Sequence, residues 1–557
     1  MTERIWLESY PAGVPADIDV GLYGSLVDLM EESFRLYAAR TAYSFMGQDV
    51  SYAQADTLSR AFAGYLQSLG LVKGDRVAIM MPNVPQYPVA VAAVLRAGMV
   101  VVNVNPLYTP RELEHQLKDS GAKAIVIIEN FAATLEKCMA ATPVKHVVLC
   151  AMGDQLGTLK GTLVNYVVRN VKKMVPPFNL PEAVRFNQAI ARGSKVAFNP
   201  PGSKADDVAV LQYTGGTTGV SKGAVLLHRN VIANTLQSEA WNAPVMAQVP
   251  AGEQPTSVCA LPLYHIFAFT VGMMLTLRTG GKLVLIPNPR DIPAVLKELS
   301  KHTVHSFPAV NTLFNALATH PDFGTVDWSH LKVSVGGGTA VQSAVAKLWF
   351  EKTGCPICEG YGLSETSPSA SCNPVTSHEY TGTIGVPLPN TYFKLLDDEG
   401  NEAAPGTPGE IAIKGPQVMA GYWQRPDETA KVMTPDGYFK SGDIGVVDAR
   451  GFFKIVDRKK DMILVSGFNV YPNELEDVVG QMPGVMECAC VGIADAHSGE
   501  AVKLVVVRKD PALTEADVRA YCKQALTGYK QPKVVEFRDE LPKTPVGKVL
   551  RRELRDK

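Results

Sequence analysis

Short apolar runs alternate with helical patterns through the first two-thirds of the chain. Residues 75–81 (DRVAIMM) predict a buried strand, residues 86–96 predict a helix, and residues 100–104 (VVVNV) predict the next strand. Strands that are apolar on both faces are typical of parallel sheets covered by helices. Similar strand signals recur at three later places: 123–129, 282–287 and 332–336. The pattern therefore predicts an α/β fold.

The pattern changes near residue 390 and becomes rich in β-hairpins. Residues 392–396, 409–414 and 452–456 read as strands separated by Gly/Asp turns. A charged cluster at 457–461 (DRKKD) is a candidate linker, and a domain-sized segment of mixed strands and helices follows it. We therefore predict three parts of the chain: an N-terminal domain over 1–459, a β-rich subdomain within it over 390–459, and an α+β C-terminal domain over 460–557.

The stretch 256–277 carries no formal charge and is long enough to cross a bilayer. Pro262, Tyr264 and His265 interrupt its middle, so we interpret it as a buried strand, loop and helix.

Composition agrees with a globular protein of more than one core, since the 557 residues are 46% hydrophobic and 20% charged. A net charge of −1 gives no overall attraction to nucleic acid. Nine sparse cysteines and an N-terminus without an export signal favour the cytoplasm.

The strongest local signal is the segment 213–223 (YTGGTTGVSKG), which follows an apolar strand. Its glycines let backbone N–H groups turn towards a ligand, its hydroxyls donate further hydrogen bonds, and Lys222 supplies a positive charge. These groups suit a polyphosphate, although the spacing of a Walker A loop is absent. The alternative is a flexible surface turn.

This segment resembles the phosphate loop of the adenylate-forming superfamily, which comprises acyl-CoA synthetases, luciferases and peptide-synthetase adenylation domains. Three further signatures of the superfamily follow in the expected order: 359–365 (EGYGLSE), 440–443 (KSGD) and 542–548 (PKTPVGK). Segments 102–110 and 457–476 look most like bacterial long-chain fatty acid–CoA ligases. The resemblance covers nearly the whole chain and implies that the C-terminal domain is mobile.

The resemblance also assigns roles to individual residues. It implies that Lys548, Glu365, His265 and Lys460 take part in catalysis, with Lys460 as the domain hinge. Glu365 would hold Mg²⁺, assisted by Thr214 or Thr218. The residues implied to bind ATP or coenzyme A are Thr214, Gly215, Gly216, Thr217, Thr218, Gly219, Lys222, Gly336, Gly337, Gly338, Tyr361, Gly362, Ser364, Asp443, Arg458 and Gly467.

Physical chemistry agrees with these roles. A tyrosine beside a glycine can stack an adenine, a carboxylate such as Asp443 can accept both ribose hydroxyls, and Arg458 can donate to the same sugar. Two positions depart from the superfamily pattern. Ser364 replaces the usual threonine but keeps its hydroxyl, whereas Tyr438 and Lys440 stand where tryptophan and histidine are frequent and so weaken inference about chain length.

The resemblance implies an AMP-forming ligase that activates a long-chain fatty acid with ATP and transfers it to coenzyme A. The alternatives are a ligase for a medium-chain or aryl carboxylate and a non-catalytic protein that binds acyl nucleotides. No nucleic-acid partner is expected, and a homodimer stays open. A set of apolar residues recurs at helical spacing with basic residues interspersed: Leu163, Val164, Val167, Val168, Val171 and Met174, with Lys160, Arg169, Lys172 and Lys173. This amphipathic pattern fits either core packing or peripheral contact with the inner face of the membrane. Cys355 and Cys358 are expected to be buried and structural.

Overall fold

The computed structural model describes residues 4–214, 221–404, 406–466, 468–495, 498–544 and 547–555. The chain divides into two compact units. The larger unit comprises Ser9–Thr391 and Gly415–Lys431, and the smaller comprises Met1–Glu8, Tyr392–Lys414 and Val432–Lys557. The β-rich segment after residue 390 thus groups largely with the C-terminal segment, and the predicted boundary at 459/460 stays a prediction.

The strands of the described residues, in chain order, are β1 Thr41–Phe45, β2 Gln48–Ser51, β3 Arg76–Met80, β4 Val100–Asn103, β5 Ala124–Ile128, β6 His146–Cys150, β7 Val184–Arg185, β8 Val208–Thr214, β9 Lys222–Leu227, β10 Thr256–Cys259, β11 Lys282–Leu285, β12 Ser306–Ala309, β13 Val333–Gly336, β14 Ile357–Gly362, β15 Ser369–Cys372, β16 Val386–Pro387, β17 Tyr392–Leu396, β18 Gly409–Lys414, β19 Gly421–Tyr422, β20 Phe439–Val447, β21 Phe453–Arg458, β22 Ile463–Val465, β23 Phe468–Val470, β24 Val485–Asp495, β25 Gly499–Arg508 and β26 Val534–Arg538.

The α-helices of the described residues are α1 Leu26–Leu36, α2 Tyr52–Ser68, α3 Gln86–Arg96, α4 Pro110–Ser120, α5 Ala132–Met139, α6 Thr158–Tyr166, α7 Phe186–Gly193, α8 His228–Met246, α9 Leu275–Arg278, α10 Ile292–Leu299, α11 Asn311–Ala318, α12 Ser343–Thr353, α13 Pro426–Val432, α14 Pro472–Gly480 and α15 Glu515–Ala525. Local sequence explains their bounds where caps are present. At α4, Thr109 and Glu112 form a capping box, Pro110 occupies the first helical position, and Gly121 ends the helix at φ +64°.

Two large sheets form the larger unit. The first has the strand order β19-β9-β8-β4-β3-β5-β6-β7, and the second has the order β16-β15-β14-β13-β12-β10-β11-β1-β2 among the described residues. Most neighbouring pairs in both are parallel, for example β3 with β4 and β12 with β13. Helix α3 is buried at every position, as expected for a helix packed on all sides. The predicted α/β class with helix-covered parallel sheets is confirmed.

The smaller unit contains two further sheets. An antiparallel sheet with the order β17-β18-β20-β21 accounts for the predicted hairpins, and a mixed sheet is built from β22 to β26. The core of the mixed sheet includes Ile463, Leu475, Leu504, Val506 and Val518, all nearly inaccessible to solvent. The expectation of a β-rich subdomain and an α+β C-terminal segment is therefore also confirmed.

The uncharged stretch 256–277 folds as a buried core segment, as expected. Strand β10 is followed by a loop, a π-helical turn over Ala268–Met274 and helix α9. No helix within the described ranges combines the length and the apolar character needed to cross a membrane. All nine cysteines are free, and Cys355 and Cys358 are buried as predicted.

Candidate functional site

The predicted phosphate-binding segment lies between two antiparallel strands of the larger unit. β8 ends at Thr214, which pairs in register with Lys222, the first residue of β9. The two strands thus hold the ends of the glycine- and threonine-rich segment side by side. Gly215, Gly216, Thr217, Thr218 and Gly219 lie outside the described residues.

Lys222 is held by an acidic and an aromatic neighbour of the same unit. Its ammonium group forms an ion pair with Glu428 and lies 5.2 Å from the centre of the Tyr422 ring. Hydrogen bonds from Lys222 and Lys431 lower the pKa of the Glu428 carboxyl to about 2. The lysine is therefore oriented at the base of the segment, where it can donate to a phosphate group.

The three predicted glycines lie at the end of β13, and two of them leave little room for side chains. A Cβ atom at Gly336 would lie 2.5 Å from Val341 Cγ2, and one at Gly337 would lie 2.9 Å from Phe267 Cε1. Gly338 adopts φ +79°, which favours glycine. The segment stands at the carboxyl end of a parallel strand, where ligands of open α/β sheets bind. Its bare backbone is suited to close approach by a flat ligand.

Tyr361 and Gly362 end the neighbouring strand β14. Tyr361 is 9% exposed, and Gly362 presses against the chain so closely that a Cβ atom there would lie 1.8 Å from the carbonyl oxygen of Pro368. The glycine therefore allows the strand after the tyrosine to pack directly on the segment that follows. The structure brings Tyr361, Gly362 and the Gly336–Gly338 backbone to adjacent strand ends.

We expect Gly362→Ala to lower the free energy of unfolding by about 1–3 kcal/mol, because the added methyl group would meet backbone that cannot rotate away. Urea denaturation of the purified variant measures the change. Gly324→Ala is the matched control, since nothing lies within 4 Å of a Cβ atom there, and its expected change is within about 0.5 kcal/mol. Equal stability of the Gly362 variant and the parent chain would contradict this packing.

Glu365 lies in the short turn Ser364–Thr366 directly after β14. It is 8% exposed, and the Tyr422 hydroxyl donates a 2.8 Å hydrogen bond to its Oε1. Burial and the nearby Glu365 carboxylate raise the pKa of the Tyr422 hydroxyl, which keeps it protonated and donating. Ser364, the position that departs from the superfamily pattern, lies partly exposed in the same turn. A buried, oriented carboxylate and the nearby hydroxyls are hard oxygen donors, which are the ligand type that Mg²⁺ prefers.

His265 lies in the loop between β10 and the π-helical turn of the larger unit. Its Nδ1 accepts a 3.3 Å hydrogen bond from the backbone N–H of Phe267. Because the Phe267 ring lies against Gly337, this loop reaches the glycine segment. Phe267, two residues after His265, thus lies against the backbone that is predicted to bind adenine.

A buried polar network, which the sequence did not reveal, fixes the loop before His265. Asn83 donates to the carbonyl oxygens of Cys259 and Leu261 at 2.8 Å each and accepts from the Leu263 N–H at 2.8 Å.

Two strand residues, Asn103 and Gln212, extend the network. The Tyr87 hydroxyl lies 2.5 Å from Asn103 Oδ1 and 2.8 Å from the Leu263 carbonyl oxygen, between which it can share its one proton. Gln212 donates to the Tyr264 carbonyl at 3.1 Å. Single polar residues within apolar strands, as in VVVNV and VLQYT, were the available signal.

The predicted ribose-binding pair is formed within the smaller unit. Asp443 on β20 lies opposite Arg458 on β21, and Arg458 Nε approaches Asp443 Oδ1 to 3.0 Å. Asp443 is 2% exposed, whereas the Arg458 side chain is partly exposed. A carboxylate fixed by a charged donor is well placed to accept hydrogen bonds from vicinal hydroxyl groups.

Lys548 lies in the same unit, and its charge is coupled to that pair. Burial, with a smaller contribution from the Arg458 guanidinium, lowers the pKa of the Lys548 ammonium to about 7, whereas Asp443 opposes this effect. The backbone around Lys548 is held by Thr544, whose hydroxyl accepts from the Lys548 N–H at 3.1 Å and whose own N–H donates to the Lys548 carbonyl at 2.7 Å. Asp443 and Lys548, which lie far apart in sequence, are thus brought into electrostatic range.

The lowered pKa of Lys548 leads to an expectation for its chemical reactivity. In the absence of nucleotide the amine should become half-neutral near pH 7, because burial and Arg458 disfavour the charged form. Labelling of Lys548 by an amine reagent, followed by peptide mass spectrometry, should therefore rise with a midpoint at about pH 7, whereas labelling of ordinary lysines rises at about pH 10. ATP should shift the midpoint upward, since its phosphates favour the ammonium form. A midpoint as high as that of ordinary lysines without ATP would contradict the enclosed position of the amine.

A buried charge cluster, also not predicted, anchors the segment that carries Lys548. Arg551 forms ion pairs with Glu476 at 2.8 Å, Asp461 at 3.5 Å and Asp457 at 3.7 Å, and its side chain is only 15% exposed. Burial raises the pKa of the Asp457 carboxyl to about 6, although Arg551 opposes the rise. Because Arg551 follows Lys548 by three residues, the cluster links the segment that carries Lys548 to the turn after β21.

The remaining two predicted residues are Lys460, which lies in this turn, and Gly467, which follows β22. Lys460 is exposed and lies between β21 and β22, which belong to the two different sheets of the smaller unit. Gly467 lies outside the described residues, between Ser466 at φ +50° and the start of β23. The position of Lys460 is suited to a hinge, since a single backbone rotation there reorients everything that follows.

Comparisons with known proteins show which family the chain resembles over its two main segments. The chain matches the AMP-binding enzyme family over residues 30–423 and the AMP-binding enzyme C-terminal domain over residues 474–548. It is 56% identical to a long-chain-fatty-acid–CoA ligase of Escherichia coli O157:H7 over 100% of this chain and 98% of that protein. It is 34% identical to a feruloyl-CoA synthase of Amycolatopsis over 94% of this chain and 96% of that protein.

A solved structure shows the same fold. The crystal structure of ATP-bound MatB from Rhodopseudomonas palustris superposes with a TM-score of 0.82 at 30% identity and covers 95% of this chain and 98% of that one. The resemblance carried by the motifs at 213–223, 359–365, 440–443 and 542–548 is confirmed by these matches. On the family match across most of its length and on its relatives of full length, the chain belongs to the AMP-binding enzyme family.

Proposed function

We propose that this chain activates a long-chain fatty acid with ATP and transfers the acyl group to coenzyme A, releasing AMP and pyrophosphate. The full-length relationship at 56% identity to a protein named as a long-chain-fatty-acid–CoA ligase supports the substrate class. The observation that carries the chemistry is that Lys548 lies within electrostatic range of the Asp443–Arg458 pair. This grouping suits a nucleotide, because its ribose and α-phosphate lie next to each other. The carboxylate can accept from the ribose hydroxyls, and the amine can donate to the phosphate.

In the first half-reaction a carboxylate oxygen of the fatty acid attacks the α-phosphorus of ATP. The new bond joins that oxygen to the α-phosphorus, the bond from the α-phosphorus to the bridging oxygen of pyrophosphate breaks, and no proton is transferred. Because the acid is already ionised at neutral pH, the barrier is the repulsion between two anions. Lys548 and Lys222 are proposed to reduce it by donating to the phosphate oxygens.

We assign the remaining ATP contacts as follows. The backbone of Gly336–Gly338 and the ring of Tyr361, with Gly362 and Ser364 beside it, are proposed to hold the adenine, and Asp443 with Arg458 the ribose hydroxyls. Glu365 with Thr214 is proposed to hold Mg²⁺, which when bound would neutralise charge on the phosphates. The segment Gly215–Gly219 is proposed to bind the phosphates through its backbone N–H groups.

In the second half-reaction the coenzyme A sulfur attacks the carbonyl carbon of the acyl-adenylate. A carbon–sulfur bond forms, the bond from that carbon to the phosphate oxygen breaks, AMP leaves, and the thiol proton passes to solvent. We propose that Gly467 gives the pantetheine chain a narrow path, that His265 lies at the gate of the acyl site, and that Lys460 is the hinge between the two half-reactions. The exposed turn at Lys460 supports the last assignment.

The decisive experiment incubates the purified chain with ATP, coenzyme A, magnesium and palmitate. We expect AMP and palmitoyl-CoA in equal amounts, measured by liquid chromatography. Formation of ADP, or AMP release without thioester in the presence of coenzyme A, would contradict the proposal.

A ligase for aryl or medium-chain acids is the second candidate, favoured by the 34% identity to a feruloyl-CoA synthase. A panel of palmitate, octanoate and ferulate compared by kcat/KM separates the two. The highest kcat/KM is expected for palmitate, and a preference for ferulate would favour the second candidate.

A non-catalytic protein that binds acyl nucleotides would bind ATP without releasing pyrophosphate. Cytoplasmic location, a homodimer and peripheral membrane contact belong to the same proposal, and the surface for the last is argued below.

A further inference from the structure

Helix α6 and the turn that follows it expose an unusual number of large apolar side chains. Leu159 is 89% exposed, Leu163 62%, Tyr166 58%, Val171 64% and Met174 51%. These five belong to the 17 exposed large apolar residues found in the described parts of the chain, although they span only 16 positions. Single exposed apolar residues are normal, but a concentration of this kind marks an interaction surface. We call this set, Leu159, Leu163, Tyr166, Val171 and Met174, the α6 patch.

Three residues of the patch lie on one face of α6, and the opposite face of this helix is packed against the protein. Gly161 is buried so closely that a Cβ atom there would lie 2.3 Å from the Gly153 carbonyl oxygen, and Asn165 Oδ1 accepts from the Gly153 N–H at 2.7 Å. Val168 is 9% exposed. Leu159, Leu163 and Tyr166 follow the spacing i, i+4, i+7 on the other side. The apolar face therefore points to solvent because the packed face fixes the helix rotation.

The segment that carries the patch bears charge of one sign. From residue 155 to residue 181 the chain contains Lys160, Arg169, Lys172 and Lys173 and no acidic residue. Glu129 accepts from Arg169 at 2.8 Å, so the lysines supply the uncompensated part. Lys172 and Lys173 are both exposed and directly precede Met174. Positive charge beside exposed apolar side chains is complementary to an anionic bilayer, which has an apolar interior and a negatively charged surface.

We infer that the α6 patch docks the protein on an anionic lipid bilayer. The apolar side chains would enter the boundary between headgroups and acyl chains, and the lysines would remain at the phosphate level. A protein partner fits less well, because a specific protein interface places hydrogen-bonding groups among its apolar residues. The inference rests on the exposed face and its charge, and it does not depend on the proposed reaction.

Vesicle co-sedimentation of the full chain tests the inference. With vesicles of palmitoyl-oleoyl phosphatidylglycerol at low ionic strength we expect most of the protein in the pellet, and little with phosphatidylcholine vesicles. Leu159→Ser combined with Leu163→Ser and Tyr166→Ser is expected to reduce bound protein by about fivefold or more. Lys172→Glu with Lys173→Glu is expected to do the same on anionic vesicles only.

Matched controls use exposed residues elsewhere in the same unit. Leu36→Ser with Val72→Ser removes apolar side chains that are 52% and 61% exposed, and Lys297→Glu with Lys347→Glu reverses exposed charge. Both controls should bind as the parent does, and all variants should keep the parental circular-dichroism spectrum and melting temperature.

Two results would overturn the inference. One is undiminished vesicle binding by the folded triple serine variant, and the other is failure of the parent chain to bind anionic vesicles. Sedimentation velocity identifies the alternative occupant: a dimer of the parent that dissociates in the triple serine variant, without vesicle binding by the parent, would show that a second copy covers the α6 patch.

Discussion

Lys548→Met is expected to slow acyl-adenylate formation by about 10²–10³-fold, the scale seen when one preorganised donor to a developing charge is removed. Methionine keeps most of the side-chain volume and removes the charge, so folding should be little affected. Pyrophosphate release with palmitate and ATP measures this half-reaction. Thioester formation from added palmitoyl-adenylate and coenzyme A should change far less, because the proposed contact is with ATP.

Lys543→Met is the matched control for this variant. Lys543 lies five residues earlier and forms an ion pair with Glu487 at 2.5 Å. An ion pair with partial exposure contributes about 0–1 kcal/mol, so pyrophosphate release should remain close to the parental rate. Equal losses in both half-reactions for the Lys548 variant would show that the residue supports the structure and does not act on the phosphate.

Glu365→Gln is expected to have the second large effect, a loss of about 10²–10³-fold in adenylation. The amide retains the shape and an acceptor for the Tyr422 hydroxyl, which lies 2.8 Å from Oε1, but it removes the charge that a divalent cation requires. Pyrophosphate release across a magnesium titration is the measurement. We expect a higher magnesium requirement together with a lower maximum rate.

Two variants separate charge from structure at this position. Glu351→Gln removes an acidic group whose side chain is 57% exposed, and it should behave as the parent. Tyr422→Phe removes the hydrogen bond to Glu365 but keeps the carboxylate, and a smaller loss is expected. Parental activity of Glu365→Gln at low magnesium would exclude the carboxylate as the metal ligand.

Several elements could be predicted from sequence because the signal is local. Helix α3 begins and ends at the predicted residues 86 and 96, and β18 spans the predicted 409–414. Continuous apolar runs of strand length, bounded by turn residues, leave few alternatives. The motifs also identified Thr214, Glu365 and Asp443 as candidate site residues, and the structure places them in strands or in a turn directly after a strand.

Other features depend on residues distant in sequence, and no local pattern contains them. The network of Asn83, Tyr87 and Gln212 holds the loop before His265 through contacts across 52 to 180 positions, so the polar residues looked like isolated interruptions of apolar strands. The cluster around Arg551 likewise joins residues 75 and 90 positions apart. Such contacts exist only once the sheets have packed, because burial is what makes unpaired polar groups costly.

Amino-acid order alone was enough to establish the α/β class, the four motifs and the residue types able to bind a nucleotide. These follow from periodicity and from the chemistry of single side chains. Packing in three dimensions was needed to bring Lys548 within electrostatic range of Asp443 and Arg458 and to lower its pKa. Packing was also needed to show that Leu163 and Val171 face solvent, on a segment whose pattern fitted core packing equally well. Both outcomes have one physical origin: burial and long-range charge depend on which surfaces pack together, and helical spacing specifies a face without specifying what covers it.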